Sequence, residues 1–252
     1  MAFDVKPTDD VLRGLVDEAK GRGDDTVTVE TTPGVGDSWH RVGFSERARV
    51  FEASVAELER RLGTERAPSF GSVHVQTDDL DGVVRAVRQF VPRLPGGSKG
   101  SVVAPPRNGW IAVYDELTDR SPEMLRRLGR ELSDRMGAVV LVLGVEEEQV
   151  VRFVLFERGR VMDEYLSVPE YYGDIPPGDV ISLSANPTVV GRLTGADPVD
   201  VRRVARTGRS PTDLPAAPEL AVELAALLGV AGGEHGYTGA EGIPGAVDVP
   251  RG

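Results

Sequence analysis

Strand-forming runs crowd the middle of this chain and constrain its fold more than any other feature. Trp110 to Asp115 is one such run, and after a helical interval three more follow at 138–145, 149–157 and 160–166. Glu146 to Gln149 and Arg158–Gly159 are the only residues left to join those three. Connections this short make antiparallel hairpins, because a parallel pair needs a crossover of a dozen or more residues.

The elements upstream complete the pattern. Ser72 to Thr77 reads as a strand, and Thr77 is placed to cap a helix with Leu80, Val83, Val84, Val87 and Val91 on its apolar stripe. Ser101 to Ala104 is a short strand ended by Pro105–Pro106, and Asn108–Gly109 is a tight-turn signal leading into Trp110. Ser121 followed by Pro122 opens a second helix, lined by Met124, Leu125, Leu128, Leu132 and Met136 and closed by Gly137. Strand, helix, two strands, helix, three strands predicts an α+β domain over residues 70–173. The expected form is an antiparallel sheet with two helices on one face, a ferredoxin-like split β-α-β unit with an added hairpin. Another α+β sandwich is the rival arrangement.

The flanks read differently. Residues 1–66 are expected to be mainly helical, with apolar stripes after Thr8 and after Ser45, one strand at Asp25 to Thr31 and a turn at Gly34 to Gly36. Residues 179–230 suggest a small helical subdomain: Asn186–Pro187 and Asp197–Pro198 are helix starts, and a further helix runs from about Pro218 to Leu228. Residues 231–252 carry too little apolar surface to offset ordering entropy and are expected to be a disordered tail.

Several chemistries are excluded or disfavoured. There is no cysteine, so disulfides, thiolate metal sites and a cysteine nucleophile are absent. The formal net charge of -11 opposes wrapping a nucleic-acid backbone. No apolar run is long enough to span a bilayer, and the acidic start does not resemble a secretory signal, so a cytoplasmic location is expected. His40, His74 and His235 never approach metal-ligand spacing, no glycine-rich segment fits a phosphate-binding motif, and no serine sits in a G-x-S-x-G elbow. No catalytic residue, metal or cofactor is therefore assigned.

What remains is a cluster of aromatic and acidic residues at strand ends. Strand alternation puts Trp110, Ala112 and Tyr114 on one face, and Asp163 and Tyr165 on one face of their own strand. If those strands neighbour, Tyr114, Tyr165 and Asp163 converge, and Arg152 can pair with Asp163. Asp115 and Glu116 end one strand, and Tyr171 and Tyr172 follow the last. The candidate binding residues are thus Trp110, Tyr114, Asp115, Glu116, Arg152, Asp163, Tyr165, Tyr171 and Tyr172. The structural alternative is that these acids pair with Arg152, Arg158 or Arg160 and fix strand register, and that the tyrosines close a small core.

The segments NGWIAVYDE and GRVMDEYLSVPEYYG resemble a family of uncharacterised bacterial proteins, over about residues 102–173. The resemblance implies a recurrent fold and passes on no catalytic residue. SVHVQTDDLDGVV also resembles the opening of glyoxalase and bleomycin-resistance modules, which bind a metal through a histidine on the first strand. That likeness implies a ligand role for His74, with Glu116 or Glu164 as carboxylate partners. The leading expectation is a non-enzymatic binding or regulatory protein with a protein or small-molecule partner and no nucleic-acid or membrane role; a homodimer through edge strands is compatible with it. The alternatives are a glyoxalase-like site at His74 and an acidic protein-neutralising or assembly factor.

Overall fold

The computed structural model describes residues 69–94 and 97–250, together with three strands nearer the N-terminus, and the chain divides into a unit of Met1–Arg66 and a unit of Ala67–Gly252. In the first unit, β1 (Ala2–Val5), β2 (Thr28–Pro33) and β3 (Ser38–Gly43) form an antiparallel sheet in the order β1-β3-β2. The strand expected at 25–31 is β2, moved a few residues along. The described part of this unit is therefore all strand, whereas the helices expected after Thr8 and Ser45 and the turn at 34–36 lie outside the described residues.

The second unit is built on a seven-stranded antiparallel sheet. Its strands are β4 (Phe70–Gln76), β5 (Gly100–Val103), β6 (Trp110–Asp115), β7 (Val139–Glu146), β8 (Val150–Glu157), β9 (Arg160–Leu166) and β10 (Val247–Pro250), in the order β10-β5-β6-β4-β7-β8-β9. The helices are α1 (Leu80–Phe90), α2 (Glu116–Arg120), α3 (Pro122–Met136), α4 (Pro177–Ser182), α5 (Pro187–Thr194), α6 (Pro198–Val204) and α7 (Ala217–Leu227). α+β is the observed class.

Local grammar explains most boundaries. The turn at Asn108–Gly109 takes positive φ at both residues, 54° and 78°, as a two-residue hairpin with right-handed twist requires, and Arg107 and Trp110 exchange backbone hydrogen bonds across it. Arg158–Gly159 does the same, with φ of 51° and 72°. Ser121 caps α3 through the Met124 N–H, Asn186 caps α5, and Asp197 caps α6. The cap of α1 is Asp79 rather than Thr77. Asp79 accepts from the Gly82 N–H, while Thr77 accepts from the Asp79 N–H one step earlier.

Alternation along the strands separates two cores. Val73, Val75, Ile111, Val113, Val142 and Phe156 pack with Val83 and Val87 of α1 and Leu125, Leu128 and Leu132 of α3. Leu141, Leu143, Phe153, Leu155 and Tyr165 pack with Val190 and Leu193 of α5, Val201 of α6, and Leu220 and Leu224 of α7. The C-terminal helices consequently share a core with the sheet and do not form the separate subdomain expected of 179–230. The physical reason lies in β7 and β8. Both are apolar on both faces, so a second layer must cover them.

The expectation of a disordered tail is also overturned. Residues 231–250 run back over the sheet and end in β10, which pairs with β5. Ala240 and Val249 are buried. Glycines at 232, 233, 236 and 239 let the backbone lie close to Tyr114, Leu143, Asp119 and the ring of His235. Ordering is offset here by close backbone approach and hydrogen bonds, which side-chain composition does not register.

Candidate functional site

A pocket of about 330 Å³ lies where this returning segment crosses the β5–β6 hairpin. β6 supplies one wall, because Trp110, Ala112 and Tyr114 share a face. The Asn-Gly turn carries Arg107 to the rim, and the returning segment brings Glu234, His235 and Glu241. The wall is apolar and nearly buried, and Arg107, Glu234 and Glu241 at the rim are exposed.

Two polar links hold the segment in place. The Tyr114 hydroxyl donates to the Gly232 carbonyl at 2.9 Å, and the Asp119 carboxylate accepts from the N–H groups of Tyr237 at 2.9 Å and Gly71 at 3.1 Å. Burial pushes Asp119 up to about 6, and burial also raises Tyr114 well above the ordinary phenol range. The His235 ring stacks on Tyr114 with centroids 5.5 Å apart, and its Nδ1 faces a Glu234 carboxylate oxygen at 3.8 Å. Its Nε2 is buried and has no hydrogen-bond partner.

Next to this pocket is a second polar pair. Ser72 and His74 point from β4 toward the same side of the sheet, and Ser72 Oγ lies 2.9 Å from His74 Nε2. Both are fully buried, and His74 Nδ1 is the other buried side-chain atom among the described residues without a partner. Burial, aided by His235, lowers His74 to about 3. Such an imidazole stays neutral and is a feeble base, and a serine with no solvent access cannot meet a substrate. Buried polar atoms left unpaired are rare, so the two orphan nitrogens draw attention to this side of the sheet.

The residues singled out from the sequence fall into separate groups. Trp110 and Tyr114 line the pocket. Asp115 is fully buried at the end of β6, where it accepts from Ser98, Ser101 and the Leu117 N–H; burial raises its carboxyl despite these donors. It is a structural knot that caps α2. Glu116 pairs with Arg120 at 2.8 Å and with Lys99 at 3.6 Å.

Arg152 does not pair with Asp163. It bonds Glu146 at 2.7 Å and Glu164 at 3.1 Å, and Glu164 also holds Arg126 of α3. Alternation is the reason: Arg152 and Glu164 face α3, whereas Asp163 faces the C-terminal layer and accepts from the Asn186 N–H at 3.0 Å. Burial raises Asp163 to about 6. Tyr165 is buried, stacks on Phe153 and donates to the Arg206 carbonyl. Tyr171 and Tyr172 meet edge to face and donate to Glu147 and Glu146. Tyr114 and Tyr165 lie on the same side of the sheet but do not converge. β4, β7 and β8 separate their strands, a span of about 19 Å at normal strand spacing.

The carboxylates expected as metal partners are likewise not brought to His74. Glu116 is held by Arg120, and Glu164 lies on the other side of the sheet. Among the described residues no group of three or more His, Asp or Glu side chains is arranged to hold a metal ion, and no helix is long and apolar enough to cross a membrane. Sequence reasoning missed Arg107, Glu234, His235 and Glu241. The last three sit in the segment assigned to disorder, and the only signal for Glu234 and His235 is GGEHGY, which sets charged and aromatic residues among glycines. Comparison with known proteins finds no match to a family model, a curated protein or a solved structure.

Proposed function

We propose that this chain is a non-enzymatic small-molecule-binding or regulatory protein, and that its ligand occupies the pocket between β6 and residues 231–244. The observation that carries this reading is a cavity walled by Trp110 and Tyr114 and lined by His235, whose Nε2 has no hydrogen-bond partner. Ligand pockets combine an apolar wall with a few fixed polar groups, and this volume is at the small end of their range of about 300–1,000 Å³. The reading replaces the broad aromatic and acidic surface with its Trp110–Tyr114 end. Asp115, Arg152, Asp163 and Tyr165 have internal partners that account for them.

The fold reading belongs to the same proposal. The order β5-β6-β4-β7, with α1 and α3 as crossovers, supports reading this part as a ferredoxin-like split β-α-β unit, extended by the β8–β9 hairpin and by β10. A cytoplasmic protein without a nucleic-acid role fits the net charge of -11.

The test is a thermal-shift screen of the full chain against small polar metabolites, repeated on His235→Ala. Compounds that raise the melting temperature of the parent and not of the variant support the pocket, provided circular dichroism shows the variant folded. Hits that stabilise His235→Ala equally well would remove it.

A further inference from the structure

We propose that the pocket takes a small organic cation, a compound bearing a primary amine or guanidinium group. This deepens the preceding reading and rests on it. Three observations set the charge of the ligand. First, the rim carries two carboxylates, Glu234 and Glu241, against one guanidinium, Arg107. Among the described residues Arg107 and Glu241 form no ion pair, and the one ion-pair contact of Glu234 is with the His235 ring. An anionic ligand would meet like charge twice, whereas an ammonium group meets opposite charge twice.

Second, the orphan atom wants a donor. Nδ1 of His235 lies on the Glu234 side, 3.8 Å from the carboxylate, and we place the ring proton there. Nε2 is then an acceptor without a protein partner, closed to solvent in the free chain, and an N–H of the ligand reaches it as the part-exposed His235 ring turns in the pocket. The Tyr114 hydroxyl cannot serve, since it already donates to Gly232. Third, the wall behind these groups is aromatic. Trp110 and Tyr114 line it, and indole and phenol rings attract cations through their quadrupoles. Acids at the rim, an acceptor in the interior and an aromatic wall together are complementary to an amine. The overall charge of -11 adds long-range attraction of the same sign.

The experiment follows the two tryptophan indole N–H signals of the full-length protein by heteronuclear NMR, with Trp110 assigned by loss of the other signal in Trp39→Phe. The probes are phenethylamine, agmatine and the anionic isostere 3-phenylpropionate. The amines are expected to shift the Trp110 signal in a saturable way and the carboxylate to leave it unmoved. Glu234→Gln/Glu241→Gln changes two exposed side chains to neutral amides of the same shape, so the fold is retained. In that variant amine affinity is expected to fall at least about fivefold, which corresponds to roughly 1 kcal/mol.

Equal or stronger binding of 3-phenylpropionate at Trp110 would overturn the cation while leaving the pocket standing. So would amine affinity indifferent to loss of both carboxylates. Failure of both amines to move Trp110 at tens of millimolar also overturns the cation, and the metabolite screen then decides the pocket separately.

Discussion

Gly232 offers a sharp test of how the returning segment lies on the sheet. Its φ is +79°, and a Cβ there would stand 2.0 Å from the Tyr114 hydroxyl oxygen, far inside van der Waals contact. Gly232→Ala therefore incurs a left-handed backbone cost of about 1 kcal/mol, plus about 2 kcal/mol from overpacking and displacement of the buried Tyr114–Gly232 hydrogen bond. Tyr114→Phe alone removes that bond and costs about 1 kcal/mol. In the Tyr114→Phe background the obstructing oxygen is gone, so the double variant should lose only about 2 kcal/mol, against about 4 if the effects added. The assay is urea unfolding followed by fluorescence, with limited proteolysis of residues 231–250 as a local probe. Additivity would refute the reasoning, because it would mean that Gly232 and Tyr114 do not touch.

Other consequences are equally concrete. Arg152→Ala leaves Glu146 and Glu164 facing each other without their shared cation and should cost about 2–4 kcal/mol in urea unfolding; partial recovery in Arg152→Ala/Glu146→Gln would locate the cost in that carboxylate. Glu147 and Glu148 hold positive φ of 55° and 53° in the β7–β8 turn, so Glu148→Gly should raise stability by about 1 kcal/mol, and an unchanged or lower unfolding midpoint would count against strain there. Because burial raises Asp119 and Asp163 to about 6, the folded chain holds their protons more tightly than the unfolded chain does. Their contribution is complete below about pH 4 and is lost as the pH rises through 6, by about 1–2 kcal/mol each after allowance for partial exposure. Urea unfolding at pH 5 and pH 7 should show this loss, and Asp119→Asn/Asp163→Asn should flatten it.

The central sheet was legible because its information is local. Two-residue turns at Asn108–Gly109 and Arg158–Gly159 force hairpins, and caps at Ser121, Asn186 and Asp197 place helix starts within a residue or two. The shared face of Trp110 and Tyr114 follows from strand alternation alone. Partner choice was not legible in the same way. Whether Arg152 meets Asp163 or Glu164 depends on which layer covers each face. Whether Tyr114 meets Tyr165 depends on strand order, which no residue near either tyrosine encodes.

The returning segment marks the boundary most clearly. Composition measures the apolar side chains a stretch can bury, and residues 231–252 have few, so by that measure they should not order. The fold orders 231–250 by offering Asp119 and Tyr114 as anchors and an open β5 edge for β10. Those are backbone interactions, available to nearly any glycine-rich strand and therefore silent in side-chain pattern. Element type, turn position and face were decided by neighbours along the chain; the pocket, with His235 in it, was decided by contacts between residues more than a hundred positions apart.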